Sequence, residues 1–404
     1  MRSVVCLLVL LVTAANGFAA ERQAISPPGV KPIGPYSPGI LAGDSLYVSG
    51  QGAKRADGTF PETPAAQFQQ CMTNIRAVVE AAGLTMDHLV YAQVYVRDAA
   101  AFPEIAGAWD AEFPNNGPAR SMIGVARLPD NTPVEVNAVA IRDVSGKSPI
   151  RIKRSAGASV PDAVVAGERV YVSDCVGRDN AGQVPSDPRE QARLALERMG
   201  AVLRAAGLDH RHMVFVNPYM TANIGYGEMN SVYAKYFEFG NTPARATIEV
   251  ASLPGNANIQ FTGVAVRDLA RRKAVRPKNM PPSPTASPCV FAADVFYCSA
   301  KSGFIPGPNS GVFADTVEKQ VRQTMRNLLD GLDEAGLNLS GVVAANVYLD
   351  DVADFPKMNR IYKLFFGDVP PARTTVQQRP PVTRAANEKE EWPTLEQISL
   401  IAVK

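Results

Sequence analysis

Gly117-Pro118-Ala119-Arg120-Ser121-Met122-Ile123-Gly124-Val125-Ala126-Arg127-Leu128-Pro129 sets one arginine between a proline turn and a run of strand-forming residues. The pattern returns. Pro243-Ala244-Arg245-Ala246-Thr247-Ile248-Glu249-Val250-Ala251-Ser252-Leu253-Pro254 repeats it closely, and Pro371-Ala372-Arg373-Thr374-Thr375-Val376 repeats its first half. The arginines stand 125 and 128 residues apart (120 to 245, 245 to 373). That period is far longer than a solenoid turn of about 20–50 residues, so each repeat is a whole domain.

Working outward from Arg120, the first copy reads as ββαβαββ. Residues 39–51 form a hairpin with Gly43-Asp44 at its turn. A helix follows, with Thr63 as N-cap, Pro64 at its first position, and Phe68, Met72, Ile75, Val78, Val79 and Ala82 on one face; Gly83 closes it. Residues 90–96 read as a strand, 102–113 as a second amphipathic helix carrying Ile105 and Trp109, and 119–126 and 134–141 as two final strands. The same helix stop occurs three times, at Ala81-Ala82-Gly83-Leu84, Ala205-Ala206-Gly207-Leu208 and Glu334-Ala335-Gly336-Leu337. The expectation is an α+β chain of three tandem domains, residues 26–145, 150–269 and 275–404.

Composition agrees with folded domains. Of 404 residues 46% are hydrophobic and 20% charged, and no apolar run after the N-terminus approaches a membrane span. A net charge of +2 does not make a phosphate-binding surface, so no nucleic-acid partner is expected. The basic cluster Arg271-Arg272-Lys273, with Arg276 and Lys278, reads as a solvated linker running into proline-rich residues 277–284. Residues 383–392, inserted in the third copy, read as a polar solvated loop. Residues 1–20 have the make-up of a signal peptide: Arg2, an apolar run around Leu7 and Leu8, then small residues. A soluble secreted or periplasmic protein is expected, in a compartment where disulfides persist.

Cys71, Cys175, Cys289 and Cys298 remain after that segment, and with His88, His210 and His212 they show no zinc-ligand spacing, so no metal site is expected. His210 and His212 read as a surface turn before a strand. With Ala293-Asp294 as a two-residue hairpin turn, Cys289 and Cys298 face each other across two strands. Both a disulfide and two buried thiols fit that register.

The chain resembles the RidA/YjgF family of enamine and imine deaminases, three times over. The first copy carries the resemblance in Gly34-Pro35-Tyr36, Val48-Ser49-Gly50-Gln51, Glu80-Ala81-Ala82-Gly83-Leu84, Pro118-Ala119-Arg120-Ser121 with Leu128-Pro129, and Val134-Glu135-Val136-Asn137-Ala138-Val139-Ala140. The resemblance implies chorismate-mutase-like domains, which in this family form homotrimers with clefts between subunits. Three fused copies would then be a monomer acting as a one-chain trimer. It also implies cofactor-free hydrolysis of an enamine or imine of a small carboxylate, of the 2-aminoacrylate type, to a 2-keto acid and ammonia.

Residue by residue, the resemblance implies Arg120 as the carboxylate anchor, a task suited to the paired donors of a guanidinium. It implies Glu135 as the acid that activates water, and Tyr36 and Ser49 as polar cleft contacts. Ala106 stands where the family has an asparagine. The second copy keeps Ser173, Arg245 and Asn230, with Val160 for the tyrosine and Gln260 for the glutamate. The third keeps Ser299, Arg373 and Asn359, with Ala286 and Gln397 at those two places. Glu396 is one residue from Gln397 and, on a strand, faces the other way. Because each family cleft draws on two neighbours, Tyr36, Arg120 and Glu135 need not line one cleft, and at most one complete acid-dependent site is expected. The alternative is a non-enzymatic carboxylate-binding or scaffold protein with degenerate clefts. A ribonuclease role finds no acid–base histidine pair.

Overall fold

The computed structural model describes residues 21–152, 159–179, 181–278, 280–306, 311–388 and 390–404. The segment 1–20, read from its sequence as a signal peptide, therefore lies outside the described residues, as do Asn279 of the linker and Lys389 of the insertion.

The first domain contains β1 (Arg22–Ile25), β2 (Gly39–Ala42), β3 (Ser45–Gly52), α1 (Pro64–Ala81), β4 (Leu89–Val96), α2 (Phe102–Glu112), β5 (Ala119–Gly124) and β6 (Val134–Ile141). Its sheet has the order β1-β2-β3-β6-β4-β5. Only the β4–β5 pair is parallel, α2 being the crossover between them. The second domain repeats this with β7 (Ser148–Ile150), β8 (Ala163–Ala166), β9 (Arg169–Val176), α3 (Pro188–Ala205), β10 (Met213–Met220), α4 (Tyr226–Tyr233), the split strand β11 (Ala244–Arg245) and β12 (Ile248–Glu249), and β13 (Ile259–Val266). The third has β14 (Arg272–Val275), β15 (Cys289–Ala292), β16 (Val295–Ser302), α5 (Val317–Glu334), β17 (Val342–Leu349), α6 (Phe355–Tyr362), β18 (Ala372–Gln377) and β19 (Glu396–Val403).

One strand per domain departs from the sequence reading. Strands β1, β7 and β14 open their domains on the sheet edge, and they are too short and polar to show a period-2 pattern. The basic cluster taken for linker is thus partly a strand: β14 pairs with β15, and Arg272 donates to the Met213 carbonyl and to Asn241. The histidine turn lies as expected, His210–His212 forming one 3-10 turn before β10, held by the Asp209 side chain. In the inserted loop, Arg384 bridges the buried Asp350 and Asp354, while Glu388 and Glu390 are exposed.

Two kinds of core hold the molecule. Helix α1 is capped by Thr63, whose hydroxyl accepts from the Ala66 amide, and it stops where Gly83 takes a φ of 74°. It buries Phe68, Met72, Ile75 and Val79 against the alternate residues Val134, Val136, Ala138 and Ala140 of β6. Each such apolar side chain contributes about 1.5–3 kcal/mol on burial. The other face of all three sheets turns to a shared centre rich in tyrosine, including Tyr47, Tyr91, Tyr171, Tyr219, Tyr297 and Tyr348. Three pairs there bridge domains: Tyr91 with Thr262 at 2.9 Å, Gln93 with Tyr219 at 2.6 Å, and Asn137 with Thr374 at 2.8 Å. Since β-strand side chains alternate, Glu135 and Asn137 of β6 must face this inter-domain side.

One device closes the ring. Ser49 Oγ accepts from the Arg373 amide at 2.8 Å, Ser173 Oγ from Arg120 at 3.0 Å, and Ser299 Oγ from Arg245 at 2.8 Å. Each arginine strand is therefore docked on the following domain, and the third on the first. Every domain finds both neighbours within one chain, so light scattering is expected to return the mass of a single chain. A stable complex of three chains would contradict this closure.

Cys289 and Cys298 pair directly across β15 and β16 and form a disulfide, while Cys71 and Cys175 are free and buried. Non-reducing peptide mapping is expected to recover Cys289 and Cys298 as linked peptides. Free alkylation of both in the native protein would overturn the assignment. No helix among the described residues is long and apolar enough to cross a membrane.

Candidate active site

The ring geometry decides which residues meet. Arg373 of the third domain converges with Tyr36 and Glu135 of the first around a cleft of about 200 Å³ that Gly50, Phe355 and Thr375 also line, while Ser49 holds the Arg373 amide and Asn359 lies beside the Arg373 fork under Gly34. Clefts for drug-sized ligands run to about 300–1,000 Å³, so this one suits a smaller molecule. Arg120, read from the sequence as the anchor working with Glu135, lies elsewhere. It is at the cleft between domains one and two, beside Ser173 and Val160. The correction has a simple cause: β5 is an edge strand and docks on the next domain in the chain, so an arginine never shares a cleft with its own domain's β6.

Arg373 is 3% exposed and lies over three rings, Tyr36, Phe355 and Tyr362, at 5.0, 5.3 and 5.0 Å. Its Nη1 makes only a 3.8 Å contact with Met358 Sδ, and its Nη2 has no hydrogen-bond partner among the described residues. Burial pulls its pKa down, partly offset by Tyr362, Tyr36 and Glu135. Asn359 Oδ1 is likewise buried without a partner among those residues. A β-carbon on Gly34 would come within 2.7 Å of Arg373 Nη2 and 3.0 Å of Asn359 Nδ2, so the glycine lets backbone pass over both groups. Buried guanidinium donors left open are costly, and a carboxylate satisfies them in a bidentate fork.

Glu135 faces this arginine from the other wall. It is 7% exposed, and burial pushes its pKa up to about 8, with Arg373 pulling partly the other way. The phenol of Tyr36 is also raised, first by burial and then by Glu135. Space for the carboxyl comes from a bulge in β3, where Ser49 and Gly50 lie between the pairs Val48↔Ala138 and Gln51↔Val136. A β-carbon on Gly50 would stand 2.0 Å from Glu135 Oε1. Gly50→Ala is therefore expected to displace the carboxyl and lower activity on the order of a hundredfold, as a misplacement of about 1 Å does, with an unchanged circular dichroism spectrum. Retained activity would mean Glu135 needs no fixed position. The need for glycine here was not legible from the sequence, although Gly50 sits within a recognised motif.

The other clefts are built alike with different furniture. Between domains two and three, Arg245 gives Nη1 to Asn230 Oδ1 at 2.7 Å and Nη2 to the Tyr226 hydroxyl at 2.8 Å, so its fork is already engaged. Gln397 and Ala286 line that cleft with Ser299, and no carboxylate among the described residues does. Glu396 turns to the opposite face, accepting from Thr324 of α5 inside the domain core, and burial raises its pKa to about 8. Between domains one and two, Arg120 lies 5.0 Å over the Trp109 ring, Ala106 stands at the asparagine position of α2, and Gln260 donates to Ser121 Oγ and the Met122 carbonyl. Among the described residues no group of three or more His, Cys, Asp or Glu could hold a metal ion.

The endoribonuclease L-PSP family model matches three times, at residues 27–142, 152–267 and 282–384. Among curated proteins, a 2-iminobutanoate/2-iminopropanoate deaminase of Dermatophagoides farinae is 36% identical over 123 residues, covering 30% of this chain and 96% of that protein. The enzyme of the same description from Escherichia coli K12 is 38% identical over 114 residues, covering 27% of this chain and 89% of its own length. Among solved structures, the YjgF gene product of E. coli is 37% identical, covering 28% of this chain and 91% of that chain, with a TM-score of 0.26.

Proposed function

We propose, from the premise that the chain belongs to the RidA/YjgF family, whose family model carries the endoribonuclease L-PSP description, that its first-to-third-domain cleft hydrolyses enamines or imines of small carboxylates to 2-keto acids and ammonia. The observation that carries this reading is the meeting of an open, buried Arg373 fork with Glu135 across about 200 Å³. The relatives named above are deaminases of 2-iminobutanoate and 2-iminopropanoate, which are small carboxylates of this kind.

In the proposed mechanism the substrate carboxylate takes the Arg373 donors, and Asn359 and Tyr36 orient the amine end. With its pKa near 8, Glu135 holds its proton at neutral pH. A bound carboxylate nearby raises that pKa further. Glu135 gives the proton to the methylene carbon of 2-aminoacrylate, which leaves a C=N bond polarised at C2. The resulting carboxylate takes a proton from the water whose oxygen attacks C2. A proton then passes from that oxygen to nitrogen, the C–N bond breaks, and pyruvate and ammonia leave. The balance is enamine plus water to keto acid plus ammonia, with no electron acceptor.

The other two clefts support a binding reading, since Gln260 and Gln397 hydrogen-bond but exchange no proton at neutral pH. We also propose an exported location for the mature chain, which the composition of residues 1–20 and a Cys289–Cys298 disulfide favour. The activity is tested by ammonia release from freshly generated 2-aminoacrylate without added cofactor. Release no faster than in buffer would leave binding as the function of all three clefts.

A further inference from the structure

The bulge that makes room for Glu135 in the first domain carries a different side chain in the second. Ser173 and Asp174 occupy it, between the pairs Gly263↔Val172 and Phe261↔Cys175, so Asp174 stands where Gly50 stands in β3. The third domain has Ala300 there. Asp174 lines the cleft between domains one and two together with Arg120, and the two interact through space. One carboxylate oxygen accepts from the Met122 amide at 3.1 Å. The Ser121 hydroxyl lies beside this carboxylate, yet the other oxygen, Oδ1, is buried without a hydrogen bond among the described residues, and so are Arg120 Nε and Nη1. At the position of Glu135 this domain has Gln260, whose amide nitrogen donates to Ser121 Oγ and the Met122 carbonyl on the β5 edge.

We propose that this cleft is a receptor for a zwitterionic α-amino acid with an apolar side chain, its carboxylate on Arg120 and its ammonium on Asp174. An unsatisfied acceptor beside an unsatisfied cationic fork asks for a ligand that supplies an anion and a donor together. A simple keto acid supplies the first and sets its charge against Asp174. Burial raises the Asp174 pKa to about 6, with Arg120 opposing, so at neutral pH the pair is mostly charged and the empty cleft is nearly neutral. The first-to-third cleft differs, since Glu135 is protonated there and the net charge favours an anion. Much of the remaining wall suits an apolar side chain, with Phe102, Pro103, Ala106, Val160 and Val176 lining the cleft of about 410 Å³, and the other two charged residues there, Arg198 and Asp162, are paired with each other at 2.7 Å. This inference does not rest on catalysis at the other cleft, because it is read by binding.

Isothermal titration of the full chain with L-leucine, 4-methyl-2-oxopentanoate and 3-methylbutylamine tests it. In the binding that R120Q removes, the wild type is expected to prefer L-leucine over both analogues by about tenfold or more, the worth of one charge-assisted hydrogen bond. D174N, which keeps the acceptor for the Met122 amide, is expected to lose that preference while binding the keto acid as well as or better than before. R120Q is expected to lose L-leucine binding. No binding of L-leucine, a keto acid bound as tightly in the part of the wild-type isotherm that R120Q abolishes, or an unchanged preference in D174N would each overturn the proposal. Keto acid that binds R120Q undiminished belongs to the Arg373 cleft, and absence of L-leucine binding to wild type decides even if a variant fails to fold.

Discussion

Glu135→Gln is expected to lower kcat for 2-aminoacrylate hydrolysis by on the order of 100- to 10,000-fold, the usual worth of a positioned acid–base group. KM should change little, because the Arg373 fork is untouched. In wild type, kcat/KM is expected to fall as pH rises through about 8, where Glu135 loses the proton that the first step consumes. The glutamine variant should show no such fall. Stability separates this from unfolding. A carboxyl whose folded pKa lies above its unfolded value binds more protons in the folded state, so stability is lost as pH rises from about 4.5 to about 8. Glutamine removes that loss, and the variant is expected to melt at or above the wild-type temperature at pH 7. Full activity in Glu135→Gln would remove the acid from the mechanism.

Arg373→Ala is expected to cost on the order of a hundredfold or more in kcat/KM, about 2.7 kcal/mol, through lost charge-assisted hydrogen bonds to the substrate carboxylate. Arg120→Ala should leave the rate within about twofold, since that side chain lines a cleft without Glu135. Arg373→Lys is expected to recover little, because an ammonium cannot fork onto a carboxylate. The reverse order of effects, with Arg120→Ala inactive and Arg373→Ala normal, would mean that the arginine and glutamate of one sequence repeat cooperate after all.

That pairing marks where sequence reading ran out. The repeats, the ββαβαββ series and the membership of β6 follow from period, caps and turn residues, since these are local properties of the chain. Residue types were legible too, down to Gln397 and Glu396 facing opposite sides of β19. The pairing of Arg373 with Glu135 is not local. It depends on β18 docking against Ser49 at a separation of 324 residues. Asn359 and Tyr36, each absent from the other's repeat, read as parts of two incomplete sites, and the structure brings both beside Arg373. Gly50 and Asp174 were hidden for another reason: a bulge adds one unpaired residue, and only the register shows that it points into a cleft. The edge strands β1, β7 and β14 were missed because three or four half-exposed residues carry no readable alternation.

Hydrolysis at the single cleft made by the first and third domains is decided by a crystal structure of the protein with pyruvate, the product of 2-aminoacrylate hydrolysis. The pyruvate carboxylate is expected in the fork of Arg373, next to Asn359, with C2 facing Glu135. Pyruvate seated on Arg120 or Arg245 while the Arg373 cleft stays without it would place the chemistry elsewhere and overturn this assignment.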